Sequence, residues 1–286
     1  MQSPFVIALF VIEHVDCFTG NIFTLLQEKV SVMARVIVIA NQKGGVGKTT
    51  TSINLASSLA VMEKKVLVVD CDPQANATSG LGVDQDNLNE TLYSVFFEPE
   101  KAFEAVYDSS TPHVHVLPSN QDLVGAEIEL VDKMGREYFL QDVIKTLEGQ
   151  FDYIILDCPP SLGLLTLNAL CAAKEMLIPL QCEYFALEGI VKLLQTYEQV
   201  KKRLNPNLKL LGVLLTMYDI RNKLSHQVKY EVRKCFPDQI FETIIPRNVR
   251  LSEAPSFGKT IIMYDIKSKG AEAYLALAKE VVIRKP

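Results

Sequence analysis

An α/β fold is predicted, a single domain built on a mainly parallel sheet with helices on both faces. Three observations predict it. Short, wholly apolar runs such as Val36–Ala40, Val66–Val69 and Tyr153–Leu156 read as strands buried on both faces. Segments of helical periodicity separate them, the βαβ alternation of a parallel sheet. At 286 residues, 48% hydrophobic and 22% charged, the chain can bury one large core.

Val36–Ala40 is the first strand and runs into a Gly-rich turn at Lys43–Gly47. Thr49–Met62 follows as a helix with Ile53, Leu55, Ala56, Leu59 and Ala60 inward. Val66–Val69 is the second strand and ends at Asp70; Asp84–Asn89 is a polar loop and Val114–Leu117 a third strand. Asp122–Leu147 is helical with an interruption near Gly135. Strand Tyr153–Leu156 stops at Cys158-Pro159-Pro160, followed by helix Leu162–Ala173 and strand Met176–Leu180. Leu187–Leu204 is a long helix with Leu193, Leu194, Tyr197 and Val200 inward. Strand Leu208–Thr216, helix Ser225–Phe236, a short strand at Glu242–Ile245 and helix Ala271–Ile283 complete the series. No repeat, low-complexity tract or linker divides it.

The first 32 residues stand apart. Phe5–Val11 is apolar but too short to span a bilayer, and no Lys or Arg precedes it as a secretory signal would require. Met33 opens the first strand directly. Residues 1–32 are therefore expected to be a dispensable extension, or to precede the biological start at Met33, with the domain spanning 33–286.

The six cysteines show no C-x-x-C pair, and the four histidines are scattered. Neither a zinc site nor a disulfide framework is indicated, which suits a reducing, cytoplasmic compartment. The net charge of −5 is unevenly distributed. Residues 201–286 carry 17 Lys and Arg against 8 Asp and Glu, net +9; residues 1–200 carry 12 against 26, net −14. A localised basic face is expected in the C-terminal part.

The chemistry concentrates between the first strand and the first helix, in Gln42-Lys43-Gly44-Gly45-Val46-Gly47-Lys48-Thr49-Thr50. The strict phosphate-loop pattern G-x-x-x-x-G-K-[ST] fails only at its first position, where Gln42 stands. Gly44, Gly45 and Gly47 let backbone N–H groups converge on phosphate oxygens, and the helix N-terminus adds partial positive charge. Lys48 is placed to bridge the β- and γ-phosphates, the Thr49 hydroxyl to ligate Mg²⁺, and Thr50 to lie near the α-phosphate. Asp157, ending an apolar strand, is the carboxylate for the metal's water shell. Asp72, in Asp70-Cys71-Asp72-Pro73-Gln74, is the candidate to orient or activate the attacking water.

With these residues in place, the chain resembles the ParA/Soj family of partition ATPases, a group with a deviant form of the phosphate loop in which Gln42 is normal. The likeness runs from about Ala34 to Ile283. It is carried by Lys43–Thr50, Asp70–Thr78 (DCDPQANAT), Asp157–Ser161 (DCPPS), Gln181–Gly189 (QCEYFALEG) and Ile245–Lys259 (IPRNVRLSEAPSFGK). The resemblance implies a Mg-ATP-driven sandwich homodimer in which Lys43 reaches the partner protomer's nucleotide. Val46 lies within the phosphate loop, and Pro246, Arg247 and Asn248 fall where the family holds adenine. Arg221 and Arg250 match DNA-binding positions. The ATP dimer would bind double-stranded DNA without sequence preference on the nucleoid, and a ParB-type protein would stimulate hydrolysis and release it. Three other readings on the same fold are less well supported. A MinD-like membrane ATPase should end in a basic amphipathic helix, whereas only Arg284-Lys285-Pro286 follow Ile283. An iron–sulfur protein needs a spaced partner for Cys158, and a small-molecule synthase or kinase needs an acceptor pocket that no residue set marks.

Overall fold

A computed structural model describes residues 33–183 and 186–284, with Ala186–Gly189 as backbone only. Residues 1–32, together with Tyr184 and Phe185 of the Gln181–Gly189 stretch, lie outside the described residues. Seven strands form one sheet: β1 (Arg35–Ile39), β2 (Val66–Asp70), β3 (Tyr107–Asp108), β4 (Val114–Leu117), β5 (Tyr153–Asp157), β6 (Glu175–Gln181) and β7 (Lys209–Thr216). Their order is β3-β4-β2-β5-β1-β6-β7, parallel throughout except for β3 against β4. β2 (VLVVD) and β5 (YIILD) are buried at every position, as central parallel strands covered on both sides must be.

Successive side chains along a strand point to opposite faces, and two cores result. Val36 and Val38 face one with Leu156 and Leu170; Ile37 and Ile39 face the other with Leu59 and Leu277. Helix α1 (Lys48–Ala60) packs on the second face against the C-terminal helix Lys269–Ile283. Its buried small polar residues are bonded internally. Ser57 and Ser58 both donate to the Asn54 carbonyl, and Asn54 Oδ1 accepts the Ile261 N–H at 2.7 Å.

Short helices α2 (Asn76–Gly80), α3 (Leu92–Phe97), α4 (Leu123–Glu129) and α5 (Phe139–Leu147) fill the β2-to-β5 half. Then come α6 (Leu164–Ala172), α7 (Ala186–Arg203), α8 (Lys223–Cys235), α9 (Val249–Glu253), α10 (Ile261–Asp265) and α11 (Lys269–Ile283). The break expected near Gly135 separates α4 from α5, with Gly135 at φ 67°.

The strand expected at Glu242–Ile245 is not formed. Chain around it lies beside β7 and makes only isolated bridges, Val213 to Ile240 and Tyr218 to Pro246. Between them, the N–H groups of Glu242 and Thr243 donate to the Glu280 carboxylate of α11, at 2.9 and 3.0 Å. Phe241 and Ile245 still donate to β7, but the Thr243 N–H between them, which a ladder would have used, goes to a side chain, so the segment runs irregularly there.

Candidate active site

The chain leaving β1 must turn sharply to start α1, and it does so through Gly45 and Gly47, at φ 72° and 88°. L side chains rarely adopt this left-handed backbone, so glycine is needed at both. Gly47 is the N-cap of α1 and offers no side-chain cap, leaving the first-turn N–H groups without an intrahelical partner. The loop is fastened from both sides. Thr216, the last residue of β7, donates its hydroxyl to the Val46 carbonyl at 2.8 Å. Asn41 accepts the Lys43 N–H at 3.0 Å and donates to the Pro179 carbonyl of β6 at 2.7 Å.

Lys48 is nearly buried, and its Nζ donates to the Lys43 carbonyl at 3.3 Å. Burial lowers its pKa, opposed by the negative charge of Asp157. Asp157, fully buried at the end of β5, accepts hydrogen bonds from the Thr49 hydroxyl and the Ser52 hydroxyl, each at 2.7 Å. The structure thus brings Lys48, Thr49 and Asp157 together, and adds Ser52, one turn further along α1.

Asp70 ends β2 directly opposite Asp157 in the sheet register. One of its oxygens accepts both the N–H and the hydroxyl of Thr78, at 2.8 Å each, and the other accepts the Asp72 N–H at 3.1 Å. Burial raises the pKa of both buried carboxyls against the pull of these bonds, Asp70 to about 6 and Asp157 to about 7. Asp72 is nearly buried and accepts the Gln74 N–H at 2.9 Å, which closes the turn leading into α2.

Two adjoining hollows follow the loop. One, of about 660 Å³, is lined by Gly44, Lys48, Thr49, Asp72 and Pro160. The other, of about 490 Å³, is lined by Ile245, Pro246, Arg247, Asn248 and Tyr274. Gly47, Thr50 and Met217 line both, so a single elongated ligand can occupy the two. Met217 holds φ 51°, a conformation uncommon outside glycine that recurs at ligand sites. Sequence reasoning missed Met217, because backbone strain at a strand end leaves no compositional trace.

Lys43 does not line these hollows. Its Nζ pairs with Glu183 at 2.8 Å. Arg221 and Arg250 lie at the surface in local ion pairs. Arg221 binds Asp219 through Nε at 3.0 Å and Nη2 at 2.9 Å, and Arg250 binds Glu253 at 2.9 Å. Arg221, Arg247 and Lys269 share one further hollow beside Pro246. Cys71, Cys158, Cys171 and Cys182 are buried free thiols, and Cys235 is an exposed one. Among the described residues no helix is long and apolar enough to cross a membrane.

A glycine-rich loop opening a helix, with a lysine, a hydroxyl and a strand-end carboxylate converging on it, is the donor set for a Mg²⁺–nucleoside triphosphate. The protein is a P-loop ATPase that uses ATP and Mg²⁺. Residues 34–210 match the AAA domain family. Over 254 residues the chain is 56% identical to the chromosome partitioning protein ParA of Myxococcus xanthus, covering 89% of this chain and 90% of that one. It is 52% identical over 249 residues to the sporulation initiation inhibitor protein Soj of Bacillus subtilis, covering 87% and 98%. Among solved structures it is similar to cobyrinic acid a,c-diamide synthase from Mycobacterium smegmatis with bound ADP and magnesium. That likeness has 40% identity and a TM-score of 0.76, covering 86% of this chain and 93% of that one. The chain belongs to the ParA/Soj family of partitioning ATPases.

Proposed function

We propose that this ATPase is a nucleotide-gated DNA switch for chromosome or plasmid partition. Mg-ATP would join two protomers face to face, the dimer would hold double-stranded DNA without sequence preference, and hydrolysis stimulated by a ParB-type protein would release it. The observation that carries the reading is the pair of adjoining hollows running from Lys48 and Thr49 to Pro246 and Asn248, with Asp157 buried behind Thr49 and the family's second lysine, Lys43, outside them.

Within one protomer, Lys48 would hold the β- and γ-phosphates and the loop amides of Gly44–Thr50 the phosphate oxygens. The Thr49 hydroxyl would ligate Mg²⁺, and Asp157 would hold its water shell. Bound Mg²⁺ neutralises charge building on the transferred phosphoryl group. Asp72, at the rim of the phosphate hollow, would orient the attacking water and accept its proton. Pro246, Arg247 and Asn248 would enclose the adenine. Lys43 would act on the partner protomer's nucleotide as an arginine finger does. The domain for this work is 33–286, acting in the cytoplasm on the nucleoid.

Arg221 and Arg250 would contact DNA phosphates. Arg250's pair with Glu253 is an exposed single contact of small worth, whereas Arg221 would have to leave a bidentate pair with Asp219. Phosphate contacts alone give sequence-blind, salt-sensitive binding, and two protomers double their number. The test is anisotropy of a labelled random duplex titrated in Mg-ATP and in Mg-ADP at two salt concentrations. Tight, salt-sensitive binding in ATP alone supports the switch; equal or absent binding in both states refutes it.

A further inference from the structure

Lys43 is held away from its own phosphate hollow by a defined contact. Its Nζ lies 2.8 Å from Glu183 Oε2, while Glu183 Oε1 accepts from Gln181 Nε2 at 2.6 Å. Both carboxylate oxygens are therefore engaged, and the acceptor is oriented before the lysine arrives. The backbone fixes the approach. Asn41 ties the Lys43 amide to Pro179 on β6, and Gln181 is the last residue of that same strand. Lysine and carboxylate thus project from neighbouring anchored points. Both side chains stay partly open to water, 38% for Lys43 and 47% for Glu183.

We propose that Glu183 is a positioning residue that parks Lys43 within a single protomer and gives it up to the triphosphate of a second copy of this chain. The inference rests on the dimer reading above. Physically it is an exchange of anions. A half-exposed carboxylate pair is weak and salt-screened, whereas a polyphosphate in a site closed between two protomers offers more charge in a drier setting. The parked state costs little to leave, yet it keeps the lysine from wandering over its own loop.

Glu183→Gln tests this, since it keeps the shape and the acceptor for Gln181 while removing the charge. Sedimentation with Mg²⁺ and a non-hydrolysable ATP analogue should show dimer forming at about two- to fivefold lower protein concentration than in the native protein, the range for a half-exposed ion pair. The gap should narrow as salt rises. Glu183→Asp should shift the midpoint in the same direction by less. Analogue affinity measured at protein concentrations too low for dimer should not change, whereas a merely structural role would move that affinity or the melting temperature. An unchanged or higher dimerisation midpoint in Glu183→Gln overturns the proposal. Lys43→Ala separates the two readings. If it fails to dimerise while Glu183→Gln matches native, parking is wrong and the trans-acting lysine stands. If Lys43→Ala dimerises as native does, both are wrong.

Discussion

Asp70 and Asp157 stand opposite each other at the ends of adjacent parallel strands, both without solvent exposure, and burial raises the pKa of each. Asp70 accepts bonds that brace the turn carrying Asp72; Asp157 faces Thr49 and Ser52 on α1. One strand-end pair thus joins the phosphate loop to the loop bearing the water-orienting candidate.

This pair predicts a pH dependence. An unfolded aspartate titrates near 3.9, while the folded groups titrate near 6 and 7. Between those values the folded protein binds more protons than the unfolded chain. These groups therefore favour folding at low pH, and that contribution is lost as pH rises through 6 to 7. In the protein free of nucleotide and magnesium, denaturant unfolding should show native stability falling relative to Asp157→Asn between about pH 4 and 7 and levelling off above that. Parallel curves for the two would contradict the raised pKa. Added Mg-ATP should stabilise more at pH 8 than at pH 6, because only the ionised carboxylate would hold the metal's shell in the proposed role of Asp157.

Ser52→Ala removes the second hydroxyl on Asp157 and leaves a buried oxygen without its donor. A loss of about 1–3 kcal/mol in folding stability is expected, measured by urea titration, together with a weaker response to magnesium. Native stability in this variant would mean that water replaces the hydroxyl without cost.

If Lys48 holds phosphate as proposed, Lys48→Ala would remove a charge-assisted contact of about 1.5–3 kcal/mol. ATP binding measured by calorimetry should fall at least tenfold, with the fold intact by circular dichroism.

Asp72→Ala should retain ATP binding and cut hydrolysis by about 10²–10⁴-fold, the range for a lost general base. The variant dimer should persist on DNA in ATP. Rapid release would assign the water to another group.

Arg250→Ala should leave ATP affinity unchanged, weaken binding to all duplex sequences alike, and reduce the salt slope by about 1. A sequence-dependent loss would instead mean base contact.

The strands, the phosphate loop and Asp157 were legible because each is written locally, as a buried apolar run ending in a polar residue at a strand's carboxyl end. The two-residue β3 and the five-residue α2, α9 and α10 are too short to leave a period. Glu183 stood in a family-like stretch, but its ion pair with Lys43 spans 140 positions and becomes visible only when β6 lies beside β1. The missing strand at Glu242–Ile245 failed for the same reason, since the competing acceptor, Glu280, is remote in sequence.

That irregular segment also bears on solubility. β7 is an edge strand, apolar along most of its length, and an open edge of this kind templates aggregation. Its outer backbone groups are occupied instead. The Val213 N–H donates to Gln239, and the Val213 and Leu215 carbonyls accept from Phe241 and Ile245. At the far edge β3 offers two residues. Among the described residues, the longer margin of the sheet therefore offers few free backbone groups to a further strand, and the other ends in a strand of two residues.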